Sequence, residues 1–362
     1  MSILYDEGQQ AIASESRRIL EAHVTTEALL PLLETRDAIF EPFWTIAKEQ
    51  GWTAVALPEA YGGLGLGLVE LGLVSHQAGR SLSGAPFLTA SFGAARAILD
   101  HGDEALKQRW LPVLAAGEAI GAVAFIEGQR VIGGGLAFED GKLRGTKSAV
   151  TGGTRAGVAI VTARDGDEMI LAVAELADVE RRPIESFDNS RCAADLVFAE
   201  TPAIELLRGS VAEAAAVHIL ALQAVVTAHE QTGGAEKLLE TARDYALTRR
   251  AFGQPIGAFQ SVKHRIAEIY ALVELARAGA VHAASRAGQD DFIAAAAAAR
   301  IQATDGYDTA ARDCVQIHGG IGVTWEAGLH LHMRRARSLA VEQGNLFFWE
   351  DVLVDRLREK AA

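Results

Sequence analysis

The sequence predicts a mainly α-helical protein that carries a β domain in the middle of the chain. Three observations lead to this fold class. Apolar residues recur at three- and four-residue spacing up to about residue 118, short runs rich in Val and Ile follow up to about residue 203, and the helical spacing then returns. A chain of 362 residues has room for about two to three domains. We therefore predict domains at residues 1–118, 119–203 and 204–362.

The first region is predicted to be helical. Residues 11–22 and 69–78 keep apolar side chains at the spacing of one helix face, and Ala, Leu and Glu are frequent. Residues that interrupt helices stand between such segments, at Pro58, Gly62, Gly63, residues 84–86 and Gly102. The pattern indicates helices separated by turns.

The middle region is predicted to be a compact β domain of barrel or sandwich type. Short runs of Val, Ile, Thr and Phe are separated by turn signals at residues 133–135, 140–141, 152–153 and 165–167. These signals divide the region into strands about eight to ten residues apart.

The last region predicts long helices that pack as a bundle. One helix face is formed by Val262, Ile266, Ile269, Tyr270, Val273, Ala276 and Ala280. The face of the helix before it is formed by Leu238, Leu239, Ala242, Tyr245 and Ala246. Six consecutive alanines at residues 294–299 suit the close approach of two helices, and we assign them no function.

The composition is typical of a soluble globular protein, with 49% hydrophobic and 22% charged residues. The net charge of −13 argues against a nucleic-acid partner, because binding phosphates requires clustered Lys and Arg. The most apolar stretch, residues 211–228, still carries Glu213, His218 and Gln223. We therefore expect no membrane-spanning helix.

The cysteine content points to a reducing compartment. Cys192 and Cys314 are the only two cysteines and are far apart in sequence, which argues against a disulfide scaffold and against a metal cluster. The first residues lack a basic segment followed by an apolar one, so we expect no secretory signal. The predicted location is the cytoplasm.

Three motifs go beyond this general pattern. LPEAYGGLG spans residues 57–65, RRAFGQPIGAFQ spans residues 249–260, and QIHGGIG spans residues 316–322. In this order and at these separations, on helical, β and helical regions of this length, they resemble the FAD-dependent acyl-CoA dehydrogenase family. The resemblance covers nearly the whole chain.

The resemblance implies a specific architecture and reaction. It implies an N-terminal helical domain, a middle β-barrel and a C-terminal four-helix bundle, with FAD held where they meet. It also implies an acyl-CoA substrate, from which a carboxylate removes the α-proton while hydride leaves the β-carbon for the flavin. Electrons would then pass to an electron-transfer flavoprotein.

The second motif supplies candidate FAD ligands. The guanidinium of Arg249 matches phosphate oxygens, Phe252 offers a flat apolar face, Gly253 allows a close backbone approach, and Gln260 can donate and accept hydrogen bonds. In the family this cluster reaches the FAD of a neighbouring subunit, so the resemblance implies an oligomer. The alternative is that Arg249 is a solvated charge and Phe252 a core anchor.

The third motif is interpreted in the same way. Gln316 precedes Gly319 and Gly320, whose missing Cβ atoms allow main-chain N–H groups to approach phosphate oxygens. The alternative is a helix C-cap followed by a turn, and one glycine can serve both roles. We expect His318 to be packed or hydrogen-bonded rather than catalytic.

The middle region departs from the family pattern. Family members typically read Thr-Glu-Pro-Gly-x-Gly-Ser-Asp where residues 125–130 read FIEGQR, so only Glu127 and Gly128 are kept. A second flavin-facing stretch retains Thr151, which can keep one hydrogen bond to the cofactor. The loss of the other residues weakens the expectation that this middle domain contacts flavin.

The family's catalytic base is also missing from its usual positions. Alignment on residues 334–337 puts Gln343, followed by Gly344 and Asn345, where many members have Glu-Gly-Thr. The other family position falls near Gln223. An amide side chain cannot remove a proton from a carbon atom at a useful rate, whereas a desolvated carboxylate can.

Neighbouring carboxylates are the remaining candidates for the base. Glu342 precedes Gln343 and is the candidate if the loop shifts its register. Glu230 lies two helical turns from Gln223, roughly 10 Å along the axis, which is too far for a direct replacement. The alternative for each is a surface or ion-paired carboxylate.

Three hypotheses follow from these residues. In the first, the chain is one subunit of a heteromeric acyl-CoA dehydrogenase and lends Arg249, Phe252, Gln260 and Gln316 to an FAD whose base comes from a paralogous partner chain. In the second, it is a self-sufficient homo-oligomer with Glu342 as base. In the third, it is a flavin-free scaffold or regulatory subunit. By resemblance, the candidate cofactor ligands also include Gly253, Gly319, Gly320, Asn345 and Thr151.

Overall fold

The computed structural model describes residues 5–33, 35, 41–83 and 87–361. The helices are α1 (Glu7–His23), α2 (Thr26–Leu29), α3 (Glu41–Glu49), α4 (Leu68–Ser81), α5 (Phe87–His101), α6 (Glu104–Ala115), α7 (Ser210–Thr248), α8 (Gln260–Ser285), α9 (Phe292–His318), α10 (Leu329–Leu339) and α11 (Leu346–Ala361). The predicted order of helices, β domain and helices is confirmed. The predicted break at residues 84–86 lies outside the described residues.

The strands lie between α6 and α8. They are β1 (Gly121–Ala124), β2 (Ala137–Glu139), β3 (Lys142–Val150), β4 (Val158–Asp165), β5 (Glu168–Glu175), β6 (Glu180–Pro183), β7 (Ala194–Arg208), β8 (Arg250–Ala251) and β9 (Gln254–Pro255). The first seven form one sheet and the last two form a separate hairpin.

The chain divides into two compact units. We call residues 32–71 and 85–223 the barrel unit, and residues 1–31, 72–84 and 224–362 the bundle unit. Helix α7 contributes its first part to the barrel unit and the remainder to the bundle unit.

The barrel unit contains the predicted β-barrel. Its strands follow the order β1-β4-β2-β3-β7-β5, and β5 pairs again with β4, which closes the sheet. The turn between β2 and β3 has positive φ values at Asp140 (49°) and Gly141 (73°), a turn that suits the twist of paired strands. The dipeptide that predicted a turn at residues 140–141 therefore makes this hairpin.

The bundle unit is built on α8, α9, α10 and the later part of α7. Its core includes Leu238, Ala242, Ile269, Val273, Tyr307, Ala311, Cys314 and Leu339. Most of the predicted helix faces are buried or half-buried. Tyr270 is the exception, since 56% of it is exposed: a residue directly after buried Ile269 is turned about 100° around the helix.

Helices α4 and α7 cross at glycines of the bundle unit. A Cβ on Gly233 would lie 1.9 Å from the carbonyl oxygen of His76, and a Cβ on Gly234 would lie 2.5 Å from the ring of Tyr307. The sequence suggests that small residues near Gly233 leave room for a wide substrate. That interpretation is wrong, because neighbouring helices fill the space.

Replacing Gly233 by Ala is expected to destabilise the protein by about 3 kcal/mol, since the added methyl group meets backbone that cannot rotate away. The measurement is the free energy of unfolding in denaturant. Gly306→Ala in α9 is the matched control, because its Cβ would meet nothing closer than 3.5 Å and Ala favours helix. Equal stabilities of the two variants would contradict the assigned role of Gly233.

Helix α7 is long and apolar enough to cross a membrane by length and composition alone. However, 72% of its most apolar 18-residue window is buried inside the protein, as in the core helix of a globular fold. Both cysteines are buried and free. Among the described residues, no three His, Cys, Asp or Glu side chains are grouped as metal ligands.

Candidate functional site

Phe252 lies at the tip of the β8–β9 hairpin in the bundle unit. Phe252 and Gly253 have φ values of 52° and 85°, the left-handed pair that a tight two-residue hairpin turn requires. The phenyl ring is 96% exposed and meets the edge of Phe259 at 6.2 Å. The alternative that Phe252 is a core anchor is therefore wrong, and the hairpin presents an apolar ring to solvent.

Two polar candidates flank this ring. Arg249 follows the end of α7, where its N–H donates to the carbonyl of Tyr245 at 2.8 Å, and its side chain is exposed. No ion pair joins Arg249 to any described residue. Gln260 is exposed at the first residue of α8. We refer to Arg249, Phe252, Gly253 and Gln260 as the hairpin cluster.

His318 of the third motif contacts Tyr245, which lies on α7 four residues before the second motif. Their rings stack with centroids 4.0 Å apart, and the Tyr245 hydroxyl lies 3.5 Å from the carbonyl oxygen of His318. The ring of His318 is also 2.8 Å from the carbonyl oxygen of Cys314. His318 is thus packed and hydrogen-bonded, and its contact with Tyr245 joins the end of α9 to the last turns of α7.

Gly319 forms the C-cap of α9. Its N–H donates to the carbonyl of Gln316, and its φ of 60° with ψ of −139° is a conformation that favours glycine. Gln316, Gly319 and Gly320 are all exposed. The turn therefore forms a helix C-cap, as the alternative interpretation stated. Its residues are exposed on the surface.

Gln343 occupies the position that the resemblance gives to the catalytic base. It lies in the loop between α10 and α11, is buried, and has a φ of 52°. The hydroxyl of Thr227 donates to its Oε1 at 3.2 Å. A buried non-glycine residue in the left-handed region costs about 1 kcal/mol or more, so the surroundings of Gln343 must hold it there.

Glu342 is buried beside Gln343. Its Oε2 accepts a hydrogen bond from Nε2 of Gln343 at 3.4 Å. Asn345 caps the start of α11, since its Oδ1 accepts from the N–H of Phe348 at 3.0 Å. Gly344 has a φ of 105°, and a Cβ there would lie 2.5 Å from the ring of Phe348. The residues of this loop thus pack closely against one another and against the start of α11.

The carboxylate of Glu230 forms a buried ion pair. Its Oε1 lies 2.8 Å from Nη1 of Arg335, and both side chains are at most 5% exposed. The other guanidinium nitrogen of Arg335 donates to the carbonyl of Leu82 at 3.1 Å. The expectation of an ion-paired carboxylate is met at Glu230.

Gln223 belongs to the barrel unit and is 1% exposed. Its Nε2 donates to the carbonyl of Thr89 at 3.3 Å, and a Cβ on Gly93 would lie 2.8 Å from its amide. The amide is enclosed by its neighbours, so the second family position for a base also carries a packed, neutral group.

Glu127, retained from the family's middle-domain motif, is held inside the barrel unit. Its carboxylate pairs with Lys147 and accepts from the N–H groups of Gly135 (2.5 Å) and Leu136 (3.1 Å). Burial alone would raise the pKa of Glu127, but Lys147 and the two N–H groups outweigh burial and lower it. Thr151, the other candidate of this unit, is half-buried in the turn after β3.

Four polar residues of the bundle unit have contacts that the sequence does not predict. Thr227 contacts Gln343, Arg335 pairs with Glu230, and Arg300 and Gln231 contact each other at 2.5 Å. Thr227, Gln231 and Arg300 are polar residues beside apolar stretches of their helices, whereas Arg335 stands among other basic residues, and neither pattern reveals a partner on another helix.

Two family models match the chain. "Acyl-CoA dehydrogenase, N-terminal domain" matches residues 6–118, and "Acyl-CoA dehydrogenase, C-terminal domain" matches residues 214–346. The second match contains the hairpin cluster, the Gly319 turn and Gln343.

Individual proteins agree with these matches. The chain is 30% identical over 328 residues to the acyl-CoA dehydrogenase IpdE2 of Mycolicibacterium smegmatis, covering 89% of this chain and 90% of the relative. It is 34% identical over 304 residues to FadE34 of Mycobacterium tuberculosis, of which it spans only 40%. The solved structure of the Tcur3481-Tcur3483 steroid ACAD G363A variant has a TM-score of 0.87 and 28% identity, over 98% of this chain and 99% of that chain. The chain therefore belongs to the acyl-CoA dehydrogenase family.

Proposed function

We propose that this chain is one subunit of a heteromeric, FAD-dependent acyl-CoA dehydrogenase whose catalytic base comes from a paralogous partner. The observation that carries the proposal is Gln343, a buried amide at the family's base position that is hydrogen-bonded to Thr227. The hairpin cluster, which in the family serves a neighbouring subunit, keeps its residues on the surface.

The hairpin cluster fits part of an FAD. A diphosphate needs a cation, and the exposed guanidinium of Arg249 has no ion-pair partner among the described residues. A flat ring system needs an apolar face, and Phe252 is 96% exposed on a turn that fixes its direction. Exposing such a ring is unfavourable in an isolated subunit, which supports a role in which a cofactor or another chain covers it.

Each residue of this chain then has a limited task. Arg249 would bind the diphosphate, Phe252 would pack against a ring, and Gln260 and Gln316 would hydrogen-bond polar groups of the cofactor. Bound FAD supplies the hydride acceptor for the family's reaction. The proton at the α-carbon of the acyl thioester would be taken by the partner's carboxylate, since the Gln343 amide is not basic enough.

The proposed partners are a second chain of the family, a substrate and an electron acceptor. The Tcur3481-Tcur3483 steroid ACAD, named as a pair of chains, supports a heteromeric arrangement for a chain 28% identical to it. An acyl-CoA is the proposed substrate, and an electron-transfer flavoprotein is the proposed electron acceptor.

Glu342 supports a second candidate function. Its buried carboxylate lies directly beside Gln343, so a self-sufficient homo-oligomer could use it as the base. In that case the isolated chain would turn over acyl-CoA, and Glu342→Gln would reduce its rate by about 10²-fold or more.

The proposal is tested by purifying the chain alone and together with a co-expressed family member that has an intact Glu-Gly-Thr. We expect colourless, inactive protein alone, and flavin absorbance with acyl-CoA turnover in the pair. Flavin and turnover in the lone chain would favour the Glu342 enzyme. Absence of flavin under both conditions would favour a scaffold subunit and contradict the proposal.

Arg249→Ala is expected to reduce the flavin retained by the purified pair by about tenfold, because a charge-assisted contact to the diphosphate is lost. The measurement is the ratio of flavin absorbance to protein absorbance after gel filtration. The control is Arg243→Ala, an exposed arginine on the preceding turns of α7 that is paired with Asp244 at 2.8 Å. Unchanged flavin content in Arg249→Ala would count against the assigned role.

A further inference from the structure

Arg300 is a buried cation in the middle of the bundle unit. It lies on α9, is 1% exposed, and donates to two side chains and two main-chain carbonyls. The side-chain acceptors are Gln231 on α7 and Thr304 on α9. The main-chain acceptors belong to Leu339 and Glu342, at the end of α10 and in the loop after it.

We propose that Arg300 is a positioning residue, which fixes the loop of residues 340–345 against α7 so that position 343 faces Thr227. The inference deepens the proposed function, on which it rests only for the catalytic meaning of position 343. The evidence for it is that Arg300 donates hydrogen bonds to Gln231 and also to the carbonyls of Leu339 and Glu342.

The contacts to the loop act on the C-terminal end of α10. The last carbonyls of a helix have no partners within the helix and carry the negative end of its dipole. One guanidinium nitrogen of Arg300 donates both to the Leu339 carbonyl and to the Glu342 carbonyl, the latter at 3.0 Å. A cation at this point therefore stabilises the helix end and fixes the direction in which the chain leaves it.

The contacts to α7 place the same guanidinium relative to Thr227. Nη1 of Arg300 donates to Oε1 of Gln231 at 2.5 Å and to the hydroxyl of Thr304 at 2.8 Å. Gln231 is one helical turn after Thr227, so both lie on the same side of α7. The loop is thus attached to α7 at Glu342 through Arg300 and Gln231, and at Gln343 through Thr227.

These two attachments of the loop to α7 explain the left-handed backbone conformation of Gln343. A φ of 52° persists only where the surroundings determine it more strongly than the residue's own preference. Arg300 supplies that constraint by binding the carbonyl of Glu342, the residue before Gln343. A lysine has a single charged nitrogen without the fork geometry, so it can keep the charge but not all four contacts.

The test is segment-resolved amide hydrogen exchange on the full chain, without FAD or substrate. We expect Arg300→Met to exchange about tenfold faster at residues 340–345, with helix α8 unchanged, and Arg300→Lys to fall between Met and wild type. The control is Arg312→Met on the same helix, whose side chain is 56% exposed and pairs with Asp308. It should leave the loop at the wild-type rate.

Two results would overturn the assignment. One is loop exchange at the wild-type rate in both Arg300 variants. The other is an equal increase in the loop and in α8, which would mean a general loss of stability. Since neither flavin nor turnover is measured, a failure here is distinguishable from a failure of the proposed function. Arg300→Lys keeps the inference testable if Arg300→Met does not fold.

Discussion

Glu230→Ala is expected to lower the free energy of unfolding by about 3–5 kcal/mol. The substitution removes the carboxylate that lies 2.8 Å from the guanidinium of Arg335, and both groups are almost fully buried. An arginine left in the bundle core without this partner keeps its charge, because its pKa is too high for it to neutralise. Breaking a buried pair from one side is therefore far more costly than breaking a surface pair.

A second substitution, at Arg335, separates the effect of the unpaired charge on stability from the effect of lost packing. Arg335→Leu in the Glu230→Ala background should recover much of the loss, since replacing both members of a buried ion pair by apolar groups is often neutral. Denaturant unfolding of the wild type, both single variants and the double variant gives the coupling energy between the two sites. Glu268→Ala, an exposed position on α8, is the control and should change stability by no more than about 0.5 kcal/mol.

The same double-mutant cycle also tests whether the ion pair between Glu230 and Arg335 holds α10 to α7. If the double variant is as unstable as Glu230→Ala, or if Glu230→Ala costs less than about 1 kcal/mol, the ion pair does not hold α10 to α7. The helix pair matters for function because α10 leads directly into the loop that carries Gln343. In the wild type, Arg335 occupies one oxygen of the Glu230 carboxylate, at 2.8 Å.

The order of domains and several turns could be predicted because their causes are local. The Asp140–Gly141 pair, predicted as a turn, has the positive φ values of a tight hairpin turn. The helix faces of α7 and α8 follow from periodicity, which fails only where a residue such as Tyr270 lies at the margin of the face. The hairpin cluster could be named from sequence because its residues are adjacent in the chain.

The interior of the candidate site could not be predicted because its contacts join distant residues. Arg300 and Arg335 look like surface charges in the sequence, and only the packing of α9 and α10 against α7 shows that they are buried. Gly233 suggested open space, whereas its missing Cβ permits contact with the backbone of His76. A motif also does not reveal the partner of a kept residue: Glu127 pairs with Lys147, which lies 20 residues further along the chain.

Glu127→Gln is expected to destabilise the barrel unit by about 3–5 kcal/mol at neutral pH. Lys147 is fully buried, and its ammonium pairs with Glu127 and donates to the hydroxyl of Thr162 at 3.0 Å. Without the carboxylate, the ammonium must remain buried or lose its proton. Losing it at pH 7 costs at most about 5 kcal/mol for a lysine whose unfolded pKa is near 10.5, which sets the upper limit of the effect.

Thermal or denaturant unfolding measures this loss, and Glu139→Gln on β2, an exposed glutamate, is the matched control. A fall in stability no larger than that of the control would mean that the three hydrogen-bonded oxygens around Lys147 suffice without a counter-charge. These oxygens are the Thr162 hydroxyl and the carbonyls of Phe125 and Gly133.

Lys147 also gives the wild-type protein a characteristic pH dependence. Burial lowers its pKa to about 8, against the partly compensating attraction of Glu127, while the unfolded chain titrates near 10.5. Between these values the unfolded chain holds the extra proton, so stability due to this group rises with pH, by about 3 kcal/mol across the window. Subtracting the stability curve of Lys147→Met removes the other titrating groups. A flat difference between pH 8 and 10.5 would show that the lysine titrates alike in the folded and unfolded chain, and that Glu127 fully offsets its burial.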